Sequence, residues 1–386
     1  TEVISLIVKA TRVIGARCKT SNGEQIEIYA DIIINASGVW GQRICKMTDV
    51  DLHMFPSKGS MLIIDYRINK VVINRCRIPS DGDIIVPGDT VSLIGTTSRK
   101  IDYKDIEKYD IADDEIEVLL EDGEKLIPEL RKARALRAYC GVRPLVANDN
   151  FSGGREITRG IVLIDHENRD KLSGFITIAG GKLMTYRLMA EMTVDLACEK
   201  LFLKRTCKTH KFPLPGSEVT KSENRVKKLL VSIPRTIVGS TLYRHGERIF
   251  SILKQNKRNY RIICECEMVT EGEIEYAIKN LNIKNIIDLR RRTRLGMGPC
   301  QGESCAYRAA GLLKVFSDKK NIQATKLLKD FLQERWEGIT PVLWGDALKE
   351  SEFSYWIYQS LFGLDDIQFE ENENTNIIED QENENL

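Results

Sequence analysis

Four cysteines are the residues whose spacing points most directly to chemistry. Cys264-Glu265-Cys266 is followed, after 33 intervening residues, by Cys300-Gln301-Gly302-Glu303-Ser304-Cys305. Two close pairs of this kind bring four thiolates to one centre. Gly296, Gly298 and Gly302 lie around the second pair and let the backbone pass close to a metal centre. Arg290-Arg291-Arg292 and Arg294 precede it. Cations there favour thiolate over thiol and offset the negative charge of an all-thiolate cluster. A 2Fe–2S cluster on Cys264, Cys266, Cys300 and Cys305 is the first reading. Structural zinc is the second, although zinc more commonly takes Cys-x-x-Cys, which neither pair has. Disulfides or inert core cysteines are the third. The other six, Cys18, Cys45, Cys76, Cys140, Cys198 and Cys207, are scattered singly and read as small hydrophobes in a reduced compartment.

A second group is Gly180-Gly181-Lys182-Leu183-Met184-Thr185-Tyr186-Arg187. Two glycines between a strand (175–178) and a helix permit close backbone approach. The new helix aims free amides and its positive dipole end at whatever lies there. That suits a phosphate or the electron-rich edge of a reduced flavin, with Lys182 adding a mobile charge; the plain alternative is a strand-to-helix turn. In Arg137-Ala138-Tyr139-Cys140-Gly141-Val142-Arg143-Pro144-Leu145, Arg143 has the fork geometry to grip a phosphate or carboxylate, or to make a structural ion pair. Asn35-Ala36-Ser37-Gly38 offers small residues for close ligand approach, or a tight turn.

These groups need elements to position them. Residues 1–35 read as short strands, with a hairpin at Thr20-Ser21-Asn22-Gly23. The run 31–35 has the apolar core of a strand buried on both faces of a parallel sheet. Residues 54–100 read as antiparallel strands, with turn pairs at Asp81-Gly82 and Pro87-Gly88. Residues 104–136 read as helical, with Ile116, Leu119, Leu120, Ile127 and Leu130 on a buried stripe; Gly123 and Pro128 are expected to break them in two. Residues 182–203 read as one helix with Leu188, Met192, Leu196 and Leu203 on a recurring face. The segment Phe212-Pro213-Leu214-Pro215-Gly216-Ser217 marks a domain boundary, and short helices follow to about residue 362. The end, 365–386, holds nine acids and no base and is expected to be disordered.

At 386 residues the chain is long enough for two or three domains of about 150 residues. Lysine plus arginine (57) nearly cancel aspartate plus glutamate (56), which argues against a nucleic-acid binder. No apolar run approaches the roughly 18 residues that span a bilayer, and no signal-peptide pattern is present. The sequence starts at Thr1 inside a strand pattern, so the natural protein is expected to extend upstream.

Taken in order, Asn35-Ala36-Ser37-Gly38, Lys58-Gly59-Ser60, Ile94-Gly95-Thr96-Thr97, Gly141-Val142-Arg143-Pro144-Leu145 and the Gly180–Arg187 segment resemble the flavin-dependent glycerol-3-phosphate dehydrogenases, D-amino-acid-oxidase-like flavoproteins. The cysteine segment resembles the bacterioferritin-associated ferredoxin-like domain, where Cys-x-Cys and a later pair hold 2Fe–2S. Together, to about residue 362, they are similar to the anaerobic, quinone-linked branch; aerobic relatives lack the cysteine domain. The resemblance implies an α/β fold, with an α+β substrate sheet inserted in a split, Rossmann-like FAD-binding domain and a small, mainly helical iron–sulfur domain after it. The corresponding boundaries are 1–44 with 136–205 for FAD, 45–135 for substrate and 217–362 for the cluster.

It further implies FAD as cofactor and oxidation of sn-glycerol 3-phosphate to dihydroxyacetone phosphate in anaerobic glycerol catabolism. Electrons would go to the quinone pool through partner B and C subunits, peripherally at the cytoplasmic face of the membrane. Ala36, Ser37, Gly38, Gly180, Gly181, Lys182, Leu183, Met184 and Thr185 would line the flavin. Arg143 would hold the substrate phosphate, and Lys182 would lie at the flavin–substrate junction. Two departures stand out. The family's Gly-x-Gly-x-x-Gly pyrophosphate loop is absent from this sequence, and Met61 follows Lys58-Gly59-Ser60 where aerobic relatives have histidine. Two alternatives are the large subunit of an amine- or opine-oxidising flavoenzyme and a non-catalytic electron-transfer or assembly subunit.

Overall fold

A computed structural model describes the chain except residues 79, 108–109, 147–159, 215–222, 254–255, 318–321 and 365–386; the expected acidic tail lies outside the described residues. The chain opens with an antiparallel meander, β1 (Glu2–Lys9), β2 (Arg12–Lys19) and β3 (Gln25–Tyr29). The Asn22-Gly23 turn forms as the pattern predicts, with Gly23 at φ +82°. β4 (Ile33–Asn35) then enters a second sheet, ordered β11 (Ile161–Asp165), β12 (Phe175–Gly180), β4. β4 and β12 run parallel, pairing Asn35 with Thr177. Only one face of β4 is covered, and Ile34 is 40% exposed, so burial on both faces is not observed. Val13, Cys45, Leu52 and Phe175 are at the centre of the core shared by these two sheets.

The third sheet is antiparallel, ordered β10-β5-β8-β7-β6 with β9 on β5. Its strands are β5 (Met54–Ile64), β6 (Ile73–Asn74), β7 (Ile84–Pro87), β8 (Ser92–Gly95), β9 (Arg99–Lys100) and β10 (Ala135–Val146). β10 pairs with β5 along its whole length. The antiparallel sheet therefore reaches past residue 136, where the sequence boundary returned the chain to the flavin part. Alternation of polar and apolar residues gives a strand but not its neighbour, which is why the boundary fell short.

After the short helix α1 (Gly41–Lys46), α2 (Asp113–Leu126) covers the third sheet. Ile116, Leu119 and Leu120 pack on Leu62, Ile64, Ile85 and Ile94. The acids Asp113, Asp114 and Glu115 in the first turn complement the helix dipole. Gly123 does not break this helix: it is buried within it, and a Cβ there would lie 2.3 Å from Ile94 Cδ1. The glycine is there for close packing. Beyond α3 (His166–Asp170), a single 3-10 turn at Leu183–Thr185 precedes α4 (Tyr186–Lys200). Leu188 and Met192 are exposed, and Leu203 lies past the helix and is exposed too, so the expected apolar face of residues 182–203 is not buried.

The C-terminal part is mainly helical: α5 (Glu223–Leu230), α6 (Arg235–His245), α7 (Ile249–Ile252), the hairpin β13 (Ile262–Cys264) and β14 (Val269–Thr270), then α8 (Glu271–Asn280), α9 (Ile286–Thr293), α10 (Ala306–Phe316), α11 (Ala324–Ile339) and α12 (Asp346–Phe362). Its core gathers Ile274, Leu289, Leu295, Ala309, Leu313, Leu328 and Phe331 around Cys264 and Cys305. It docks on the third sheet through polar contacts. Thr90 Oγ1 donates to Glu267 Oε1 (2.6 Å), Arg294 Nε is 2.8 Å from Asp89 Oδ2, and Arg134 Nη1 is 2.8 Å from Glu350 Oε2.

Candidate flavin and iron–sulfur sites

Parallel pairing of β4 with β12 puts the segments after both strands side by side. Ligands of open α/β sheets bind at this carboxyl edge. Ala36, Ser37 and Gly38 follow β4. Buried Asn35 shapes their turn: its Oδ1 accepts from Ser37 Oγ (2.6 Å), and its Nδ2 donates to Gly41 O (3.0 Å) and Thr177 Oγ1 (3.3 Å). Gly38 has φ +63° and open space where a Cβ would be. Gly180 and Gly181 end β12 at φ +72° and +71°. Thr185 Oγ1 closes the next turn, accepting from Lys182 N (3.0 Å) and donating to Lys182 O (2.8 Å). Lys182 is exposed, and Leu183 and Met184 are 92% and 82% exposed, an apolar ledge at the strand ends.

Behind this edge sits a histidine that the sequence motifs passed over. His166 is fully buried and stacked on Phe175 at 4.4 Å. Its ring nitrogens lie 2.6 Å from Asp170 Oδ2 and 2.7 Å from Thr177 Oγ1. Burial holds its pKa below the ordinary histidine value against the raising effect of Asp170. It fixes Thr177 and, through it, Asn35.

Arg143 stands on β10, which touches both β12 and the Gly38–Trp40 turn. Its guanidinium lies over Gly59, where a Cβ would come 2.1 Å from Nη2. Nη2 donates to Thr96 Oγ1 (2.8 Å) and Thr97 O (3.0 Å), and Nη1 to Lys58 O (3.3 Å). Three sequence motifs thus converge on one guanidinium: Lys58-Gly59-Ser60, Gly95-Thr96-Thr97 and Val142-Arg143-Pro144. Arg143 is half-buried in the sheet, and Lys182 is exposed on the turn after β12.

The hub of this arrangement is Glu115, which sequence reading missed. It is 1% exposed and accepts from Thr97 Oγ1 (2.6 Å) and Ser60 Oγ (3.0 Å). Lys58 Nζ lies 2.5 Å from its Oε2. Burial would raise its pKa, but hydrogen bonds from Lys58, Thr97 and Ser60 outweigh that and hold it below the ordinary carboxylate value. Its one signal in the sequence is an acid three residues into a helix. Met61 Sδ accepts a 3.3 Å hydrogen bond from the Tyr139 hydroxyl.

The four cysteines meet as two pairs. Cys264 ends β13, and Cys305 is the residue before α10; both are 1% exposed. Cys266 and Cys300 are half-buried, with sulfurs 3.6 Å apart. Gly298 and Gly302 make room: a Cβ would meet Cys266 Cβ at 2.4 Å and the Phe331 ring at 2.6 Å, respectively. A hydrogen bond with Cys305, and backbone N–H groups of Gly296 and Glu267, pull the Cys264 thiol down to about 6 against burial. Burial and neighbouring Cys300 push Cys266 up to about 11. The bond to Cys264, and burial, push Cys305 up. Cys300 borders a cavity of about 220 Å³ between the sheet and the C-terminal part, with Arg134, Gln301 and Arg335 in its wall.

The FAD dependent oxidoreductase family matches residues 1–187, and the BFD-like [2Fe-2S] binding domain matches residues 262–314. The A subunit of the anaerobic glycerol-3-phosphate dehydrogenase of Escherichia coli K12 is 52% identical over 365 residues, covering 94% of this chain and 67% of the relative. The chain belongs to the family of anaerobic glycerol-3-phosphate dehydrogenase A subunits. The corresponding subunits from Haemophilus influenzae (49% identical, 95% and 65% covered) and Haloferax volcanii (the A1 form; 35%, 95% and 63%) agree. The chain spans about two thirds of the length of these curated relatives. In fold it resembles a glycerol-3-phosphate dehydrogenase from Bacillus halodurans complexed with FAD (TM-score 0.65, 22% identity, 89% of this chain and 70% of that one).

Members of this family of flavin enzymes carry FAD and a 2Fe–2S cluster, and the residues present fit both. Open space at Gly38, together with the exposed ledge after β12, leaves the strand edge open to a flat ring, while Gly180 and Gly181 are glycine because Gly160 O and Met189 Sδ fill the space of a Cβ. At the cysteines, the donor set is all thiolate. A single zinc ion would draw all four sulfurs to within about 3.8 Å of one another, given bonds of about 2.3 Å in a tetrahedron. Among the described residues, the one group of three or more donors within 4.8 Å is Glu191, Cys207 and His210, not any three of these thiols. A two-plus-two arrangement suits two irons.

Proposed function

We propose that this chain oxidises sn-glycerol 3-phosphate to dihydroxyacetone phosphate as the flavin- and cluster-bearing subunit of a quinone-linked dehydrogenase. The observation that carries this reading is the guanidinium of Arg143, tied to Lys58, Thr96 and Thr97 beside the strand edge that suits FAD. A fixed, planar cation is what a phosphorylated alcohol needs to be held in one pose. FAD, when bound, supplies the acceptor for the hydride leaving C2 of the substrate. Arg143 binds the phosphate, and Lys182, reaching in from the turn after β12, steadies negative charge at the ring edge. Ala36, Ser37, Gly38, Gly180, Gly181, Leu183, Met184 and Thr185 seat the flavin. Cys264 with Cys305 would hold one iron and Cys266 with Cys300 the other. Electrons reach the quinone pool through partner B and C subunits, peripherally at the cytoplasmic face of a membrane; no described helix is long and apolar enough to cross one.

Anaerobic addition of glycerol 3-phosphate to the FAD-loaded, full-length protein should bleach the flavin band, and an opine should leave it. A flavin reduced by the opine alone would overturn the substrate assignment. Arg143→Ala should cost about 2–5 kcal/mol of transition-state binding, as loss of a hydrogen-bonded charge clamp does, or about 30- to 5,000-fold in kcat/KM. An unchanged kcat/KM would remove Arg143 from the phosphate site.

A further inference from the structure

Three arginines from three elements meet beside the cluster thiols: Arg137 from β10, Arg290 from α9 and Arg335 from α11. They are 6%, 8% and 8% exposed. The acids that accompany them are Glu334 and Glu303. Arg137 Nη2 lies 2.5 Å from Glu334 Oε1, and Arg290 Nη1 lies 3.6 Å from Oε2 of the same carboxylate. Arg335 Nη2 lies 3.3 Å from Glu303 Oε2, whose other oxygen accepts from Ser354. Glu334 is shared, so three positive charges face two negative ones. Arg137 Nη1, Arg290 Nε and Arg335 Nε are buried without an acceptor. Against these three donors stands an orphaned acceptor, Glu334 Oε2; the surplus of buried donors calls for an anion nearby.

The anion is next door. Arg335 and Cys300 line the same cavity, and Arg290 Nη2 donates to Gln301 Oε1 (3.0 Å), on the residue that follows Cys300. An all-thiolate two-iron cluster is negatively charged and gains a further negative charge when it takes up one electron. Inside a protein such charges act over a low dielectric. We propose that Arg290 and Arg335, backed by Arg137, form a buried cationic nest that favours the reduced cluster and sets its reduction potential. This rests on the four cysteines holding 2Fe–2S.

The same arginines also have a structural part to play. Arg137 passes so close to α11 that a Cβ on Gly338 would be 2.5 Å from its Nε. Arg290 Nη2 donates to Gln301 Oε1 (3.0 Å), and Gln301 Nε2 donates to Met297 O and Gly298 O, bracing the Cys300 loop. Scaffolding and tuning make different predictions. Loss of scaffold lowers cluster content whichever charge is removed. Tuning moves the potential in a direction that follows the sign of the charge.

The test is an EPR-monitored redox titration of the cluster-loaded full chain, with iron and sulfide measured per chain. Arg335→Gln and Arg290→Gln should make the cluster harder to reduce, by about a tenfold fall in its reduced-to-oxidised ratio at fixed potential, or about 59 mV for one electron. Arg335→Lys should stay near the parent. Glu303→Gln should shift the other way. A parent chain without iron and sulfide would remove the cluster reading itself. Loaded Gln variants at the parent potential, arginine and glutamate variants moving the same way, or loss of the cluster from all of them alike would overturn the nest.

Discussion

A single buried carboxylate explains why separate stretches of this sequence look the way they do. Ser60 and Thr97 are hydroxyl donors to Glu115, Lys58 is its counter-ion, and Gly59 is bare because Arg143 lies across it. The site is therefore sensitive to that carboxylate. Glu115→Gln leaves Lys58 buried and charged without its partner, which should cost about 3–5 kcal/mol at neutral pH. The pH dependence follows from the depressed pKa of Glu115. A carboxylate held below its unfolded value of about 4.3 contributes stability that is complete above that value. It is lost as pH falls through the lower folded value. Urea unfolding between about pH 6 and pH 3 should show a smaller acid loss in Glu115→Gln than in the parent. Equal acid losses in the two proteins would remove the ion pair from the account.

At the scale of elements, glycine means different things in different helices, and packing decides which. In α2, Gly→Ala at 123 gains about 1 kcal/mol of helix propensity. The new Cβ, however, meets Ile94 Cδ1 at 2.3 Å and the Leu130 methyls at 3.0 Å, and overpacking costs about 1–3 kcal/mol. Gly123→Ala should be neutral to destabilising by about 2 kcal/mol. In α6, a Cβ on Gly239 meets nothing within 4 Å, and Gly239→Ala should stabilise by up to about 1 kcal/mol. Thermal melts of the two variants check both signs; a shared sign would show that propensity alone governs. The same logic explains why Gly123 is not a break in residues 104–136, whereas the expected break at Pro128 is there: α2 ends at Leu126 and a separate 3-10 turn starts at Pro128. Glycine spacing shows where a backbone can bend, but only the facing sheet shows that this one must pack.

For the whole molecule, the cluster site is a folding device as well as a redox one. Cys264 and Cys305 belong to, and Cys266 packs against, a core that includes Ile274, Leu289 and Phe331. The thiols of each pair lie close together, Cys266 and Cys300 with sulfurs 3.6 Å apart, and a thiol gives up its proton to bind iron. Iron replaces those protons with bonds, so binding and folding are linked. Chelation of iron should lower the melting temperature of the C-terminal part while leaving that of the three sheets in place. One unchanged calorimetric transition would overturn this.

Much of the site's chemistry was legible in the sequence, because it depends on residues close together along the chain. Cys264 and Cys266, Gly180 and Gly181, and the turn at Gly38 carry their donor type or backbone freedom wherever the chain folds, and β12's neighbour β4 was readable as a parallel strand. Contacts across long separations were not legible. Ser60 reaches Glu115 across 55 residues and Arg137 reaches Glu334 across 197. β10 joined the antiparallel sheet rather than the flavin part, and Leu188 and Met192 of α4 stayed exposed. A side chain's chemistry travels with its residue, whereas its partner, its burial and hence its charge state depend on which surfaces the completed fold presses together.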